Sequence, residues 1–122
     1  MWMAQEKNYE TKIKKYLDDK DAWYVKYWGG ARFTTRGVPD ILACVQGTFM
    51  GIEVKASYGK PSPLQRRNLH KIDDAGGWAI LAYPDDWDEL KDLIDALHKP
   101  DYPKARDIYD DLKGRWWYAD IT

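Results

Sequence analysis

Apolar positions along this chain recur with two periods, and the switches between them mark out its elements. In "QEKNYETKIKKYLDD", Tyr9, Ile13, Tyr16 and Leu17 repeat at helical spacing, which predicts an amphipathic helix over 5–19. Glu6, Glu10, Ile13 and Leu17 share one stripe, so Glu10 lies at the edge of the buried face. "AWYVKYW" is β-branched and aromatic and predicts a strand, and "GGARFTTRG" after it reads as loop. Two short apolar runs follow, over 38–45 and 48–55, with Gln46 and Gly47 as the turn between them.

With a two-residue loop, Val45 lies opposite Thr48, and facing residues have numbers that sum to ninety-three. Asp40 then faces Glu53 on one side of the sheet. A four-residue loop keeps this register, whereas a three-residue loop would throw the two carboxylates to opposite faces. Period two puts Lys55 on the face of Glu53, with Ile52 and Val54 on the other.

In "SPLQRRNLHKIDDAGG", Ser62 as N-cap, Pro63 at N1 and Gln65 at N3 form a capping box, and Gly76 ends the helix. "GWAILAYP" reads as a buried strand, and strand, helix, strand in succession implies a crossover to a parallel neighbour. Asp86 and Glu89 form a second candidate capping box, for "WDELKDLIDAL". The loop "HKPDYP" leads to a short last helix, "KARDIYDDLK", closed by Gly114. The tail "RWWYADIT" either packs on the core or offers a contact surface. The pattern as a whole is α/β, a mixed central sheet flanked by helices.

Composition narrows the function classes. The chain has 122 residues, 44% of them hydrophobic and 32% charged, which suits one soluble domain over 1–122. Its longest apolar run, "WAILAY", is too short to cross a bilayer, and no hydrophobic leader opens the sequence, so a cytoplasmic location is expected. Cys44 is the sole cysteine, which excludes an internal disulfide and leaves a cysteine-based zinc site without its ligands. The formal net charge of −1 hides a polarity. Residues 22–71 carry eight Lys/Arg against Asp40 and Glu53, a balance of +6, while from Ile72 onward six Lys/Arg oppose thirteen Asp/Glu, a balance of −7. One face can therefore attract phosphates while the other keeps the protein in solution.

Two carboxylates and an ammonium converging on one sheet face suit a hard divalent cation such as Mg²⁺, which takes a few carboxylate oxygens together with waters and phosphate. Such an ion would neutralise carboxylates that otherwise repel each other. Arg32, Arg36, Lys60, Arg66 and Arg67 flank the carboxylates on loops and a helix start, and are the candidate phosphate contacts.

"PD" at Pro39 and Asp40, followed after a hairpin by "EVK" at Glu53 to Lys55, resembles the signature of the PD-(D/E)XK nucleases. The preceding helix with Glu10 and the following "SPLQRR" with Gln65 are similar, more narrowly, to the virus-type replication-repair nuclease branch, VRR-NUC. The likeness spans Tyr9 to roughly Tyr83, and its ordered set is Glu10, Asp40, Glu53, Lys55 and Gln65. It implies a restriction-endonuclease-like core and hydrolysis of DNA phosphodiesters by metal-activated water. Asp40, Glu53 and the carbonyl of Val54 would bind Mg²⁺, with Mn²⁺ able to substitute. Glu10 would join them directly or through water. Lys55 would be the catalytic lysine, and Gln65 would position the nucleophile or the lysine. Members of this branch are similar to Holliday-junction resolvases, which implies branched DNA as substrate, a homodimer, and work in repair or recombination in a bacterial or phage-infected cell.

Other readings stay open at this point. Glu10 can pair with Lys14 four residues on, and Gln65 has a capping role of its own. A restriction-type or damage-specific nuclease, or a DNA-binding module that does not cut, would use the same core. His70 is expected on the exposed side of its helix, and Trp116, Trp117 and Tyr118 can stack on unpaired bases or pack inward.

Overall fold

The computed structural model describes residues 2–28 and 35–117, and in them four α-helices surround a four-stranded sheet. Helix α1 (Trp2–Asp19) begins three residues before the expected start and buries Tyr9, Ile13 and Leu17. Strands β1 (Trp23–Lys26), β2 (Ile41–Val45) and β3 (Thr48–Val54) follow in an antiparallel meander. Helix α2 (Pro63–Asp74) then carries the chain to β4 (Trp78–Ala82), which pairs parallel to β3, so the sheet is mixed with the order β1-β2-β3-β4. A 3-10 turn at Pro84–Asp86 leads into α3 (Trp87–His98) and α4 (Tyr102–Trp116).

The hairpin has the expected two-residue turn. Gln46 and Gly47 both adopt positive φ, 48° and 82°, the combination whose twist matches that of the flanking strands. Ile41 consequently pairs with Ile52 and Val45 with Thr48, the register that sums to ninety-three. The ladder is shorter than the sequence suggests, because residues 38–40 precede β2 and Lys55 follows β3. Pro39, with no N–H to donate, fits a position outside the ladder.

One face of the sheet presents Ile41, Ala43, Val45, Met50 and Ile52 to a core completed by Ile13 and Leu17 of α1 and by Leu90, Leu93, Ile94 and Leu97 of α3. On the other face, Leu69 of α2 packs with Ala79, Leu81 and Trp116, and Ile72 lies against them. A Cβ at Gly51 or Gly77 would come within 2.7 or 2.9 Å of the Ile72 side chain, so bare backbone at these two points lets α2 sit close.

The capping box of α2 forms as read: Gln65 N donates to Ser62 Oγ at 3.1 Å, and Ser62 N donates to Gln65 Oε1 at 2.8 Å. The second candidate box does not form. Asp86 precedes α3 without a capping bond, because Arg115 takes Asp86 at 2.7 Å and Glu89 at 2.5 Å, and also Asp111 at 2.6 Å. A guanidinium fork offers these carboxylates stronger, charge-assisted bonds than a backbone amide does.

The last helix is longer than expected. It starts from Asp101, whose side chain accepts from Lys104 N, and runs through Gly114 to Trp116. Burial of Trp116 and packing of Trp117 outweigh the local cost of the glycine. His70 is correspondingly half-buried rather than on the open side of α2, with its ring 3.9 Å from that of Trp117 and 5.5 Å from that of Trp116. Tyr118 lies outside the described residues.

At the far side of the sheet, Ala79 N donates to Tyr109 Oη at 2.9 Å, and that hydroxyl donates to Asp73 Oδ1 at 2.6 Å. A single buried oxygen thus joins α4, the end of α2 and β4. Among the described residues, no helix is long and apolar enough to cross a membrane.

Candidate metal-binding site

The site forms where β3 ends and the chain enters β2, beneath the N-terminal half of α1. Asp40 stands one residue before β2, and its Oδ2 accepts from Val54 N at 2.8 Å. This bond fixes the aspartate against the end of β3, beside Glu53 and at the residue whose carbonyl the family resemblance assigns to a metal. Gln5 holds α1 over the same end of β3, since Ser57 N donates to its Oε1 at 2.9 Å.

Glu53 is only 2% exposed. Burial, and then the charge of Asp40, push its carboxyl up to about 8, while Lys55 pulls it down less strongly. Lys55 Nζ is 3.5 Å from Glu53 Oε2, and Glu53 Oε1 is buried with no hydrogen-bond partner among the described residues. Two ionised carboxylates are both acceptors and cannot satisfy each other. A proton or a cation between them supplies what is missing.

Glu10 reaches the cluster through Lys26. Lys26 Nζ lies 2.5 Å from Glu10 Oε1 and 3.4 Å from Asp40 Oδ1, and Lys14 is 3.4 Å from the other Glu10 oxygen. The i,i+4 pair with Lys14 is therefore present, and so is the inward role. Burial alone would lower the Lys26 ammonium, but the bonds and charges of Glu10 and Asp40 outweigh it and hold it above the usual lysine range. Glu6, one turn before Glu10, is raised by burial and lies within the electrostatic reach of Lys55, Asp40 and Lys26.

Lys26 and Glu6 are the two members that motif reasoning passes over. Glu6 carried a signal, since it shares the stripe of Glu10. Lys26 did so only weakly: it pairs with Ile41, the residue after Asp40, and that neighbour is known only once β1 is placed beside β2.

The remaining candidates are more scattered. Gln65 is occupied by its capping box at the start of α2. Arg36 is exposed just before Gly37, and its carbonyl accepts from Asn68 Nδ2 at 3.5 Å. Lys60 is exposed and lines a groove with Tyr58, Tyr83 and Asp86. Arg67 is exposed, while Arg66 is half-buried with Nη1 lacking a hydrogen-bond partner among the described residues. Arg32 lies outside the described residues.

Among the described residues, no three Asp, Glu, His or Cys side chains are grouped to hold a metal ion by themselves. The donor set is instead the carboxylates of Asp40 and Glu53, with Glu10 held back by Lys26. It still fits a hard cation, because the orphaned Glu53 oxygen, the carboxylate beside it and the all-oxygen chemistry are what Mg²⁺ or Mn²⁺ takes. Comparison with protein-family models, curated proteins and solved structures gives no match for this chain, so the site is read from its own residues.

Proposed function

We propose that this chain is a metal-dependent DNA endonuclease built on a PD-(D/E)XK core, of the VRR-NUC kind, selective for branched DNA. The observation that supports this best is the buried Glu53 with its unpartnered oxygen, next to Asp40 and 3.5 Å from Lys55. A carboxyl group placed in this way costs stability and answers no need of the core.

Asp40, Glu53 and the Val54 carbonyl would hold Mg²⁺, or Mn²⁺ in its place, with Glu10 completing the set directly or through water. The bound ion supplies a polarised phosphoryl oxygen and a water of lowered pKa. Lys55 brings a fixed positive charge to the side of Glu53, where it orients the attacking water and stabilises charge gathering on the phosphorus in the transition state. Gln65, at the start of α2, would position the nucleophile or the lysine in addition to closing its capping box. Lys26 keeps Glu10 and Asp40 together before substrate arrives. Arg32, Arg36, Lys60, Arg66 and Arg67 neutralise substrate phosphates. A second copy of the chain, acting with the first in the cytoplasm, would set two such sites on a branched substrate. The exposed Trp23 and Val25 of β1, whose outer edge has no strand partner among the described residues, are the surface offered for it.

A second reading has one observation in its favour. Lys26 and Lys55 already sit on the carboxylates, so a DNA-binding module that does not cut could be neutralised by its own lysines. Cleavage of four-way junction, flap and linear duplex DNA, with Mg²⁺, with Mn²⁺ and with chelator, separates the two. The nuclease reading expects metal-dependent cutting of the branched substrates. It expects Asp40→Ala and Lys55→Ala each to lower the rate by at least about a hundredfold while binding stays near the parent's. Metal-independent behaviour, or variants as active as the parent, would reject it.

A further inference from the structure

Beside the carboxylates, between the start of α1 and the end of β1, lies a groove of about 550 Å³ lined by Met3, Glu6, Lys7, Glu10, Lys26 and Trp28. Two of these residues are conspicuous. Trp28 is 75% exposed and Met3 is 81% exposed, and neither belongs to the core. Trp28 and Met3 together place apolar, polarisable surface at the mouth of a cleft lined by carboxylates and lysines.

We infer that this groove is a stacking site for an unpaired nucleobase of the DNA strand whose phosphate lies at Asp40 and Glu53. The inference rests on the nuclease reading and names the feature of the substrate that the site would select. Continuity with the carboxylate cluster supports it. Glu10 and Lys26 line the groove and also belong to the cluster. Lys26 Nζ is 3.4 Å from Asp40 Oδ1 and 5.5 Å from the centre of the Trp28 ring, so that ring lies no more than about 9 Å from the aspartate. The nucleoside next to a phosphate at Asp40 falls within that reach.

The chemistry of the walls selects the class of occupant. A base within a duplex has its faces covered by its neighbours and shows only edges in the grooves, whereas an unpaired base exposes a π-face that an indole and a thioether can cover. Lys26, paired with Glu10 and Asp40, sits beside Trp28 and with Lys7 balances the carboxylates of Glu6 and Glu10, so the groove carries no net negative charge against the adjoining phosphates. A protein side chain seated here would close the cleft to substrate, which makes a protein occupant the poorer fit.

The test compares binding of a fluorescein-labelled, mixed-sequence single strand with binding of a blunt duplex of equal length. Parent, Trp28→Ala and Trp28→Phe are titrated in chelator, so that nothing is cut. Trp28→Ala should weaken single-strand binding roughly ten- to hundredfold while changing duplex binding less than about twofold, and Trp28→Phe should restore most of the loss. An unchanged single-strand affinity, or an equal loss on both probes, overturns the assignment, as does a parent that binds no single strand. Its failure is distinct from that of the nuclease reading. A parent that binds single strand through Trp28 but never cuts with Mg²⁺ or Mn²⁺ keeps the base site and loses the nuclease. One that cuts while Trp28→Ala binds like the parent loses the base site alone.

Discussion

A carboxyl group as deeply buried as Glu53 penalises the fold until something neutralises it. Its folded-state value of about 8 lies above the ordinary glutamate value, and this fixes the sign of the pH effect. Below roughly pH 4 both folded and unfolded chains hold the proton and no penalty exists. As pH rises the unfolded chain releases its proton first, so stability falls until the folded carboxyl also ionises near 8. Beyond that point the penalty is constant. In chelator, Glu53→Gln should therefore melt above the parent at pH 8 by at least about 4 °C, with the gap closing toward pH 5. Calorimetry across that range checks it, and a gap independent of pH would show that Glu53 is not the titrating group. Mg²⁺ should raise the melting temperature of the parent and leave Glu53→Gln unchanged. Asp40, Glu53 and Lys55 were legible at this scale because strand period and a two-residue turn are enough to bring them together. Lys26 was not, because its partners come from a helix and a loop that only tertiary packing sets beside it.

Among the elements, α2 and the β2–β3 hairpin followed their local signals most closely. Ser62, Pro63 and Gln65 act within four residues, and Gln46-Gly47 acts within two, so no distant contact was needed to decide them. The start of α3 and the end of α4 followed distant contacts instead. Arg115, from α4, removed Asp86 and Glu89 from their capping task, and burial of Trp116 carried α4 past Gly114. The two roles of Gln65 can be separated on this basis. Ser62→Ala should cost about 1 kcal/mol in urea unfolding by removing the cap. Gln65→Glu should keep that stability, because a carboxylate can also close the box, yet slow DNA cleavage if the amide positions the reacting groups. Unchanged cleavage by Gln65→Glu would leave Gln65 a helix cap alone.

For the whole molecule the governing feature is the division of charge, +6 over residues 22–71 against −7 from Ile72 onward. Binding to duplex DNA should fall steeply with salt, because each neutralised phosphate releases condensed counterions. Arg67→Ala should reduce the slope of log K against log salt by about one if the arginine meets a phosphate, and a slope equal to the parent's would remove Arg67 from the contact surface.

The hydroxyl of Tyr109 has a consequence of the same scope. It occupies the amide of Ala79 on β4, the last strand of the sheet, so one donor that a further strand would use is already taken by α4. Among the described residues the β1 flank is the one without such a plug, and a two-fold pairing of copies through one flank closes on a pair rather than extending.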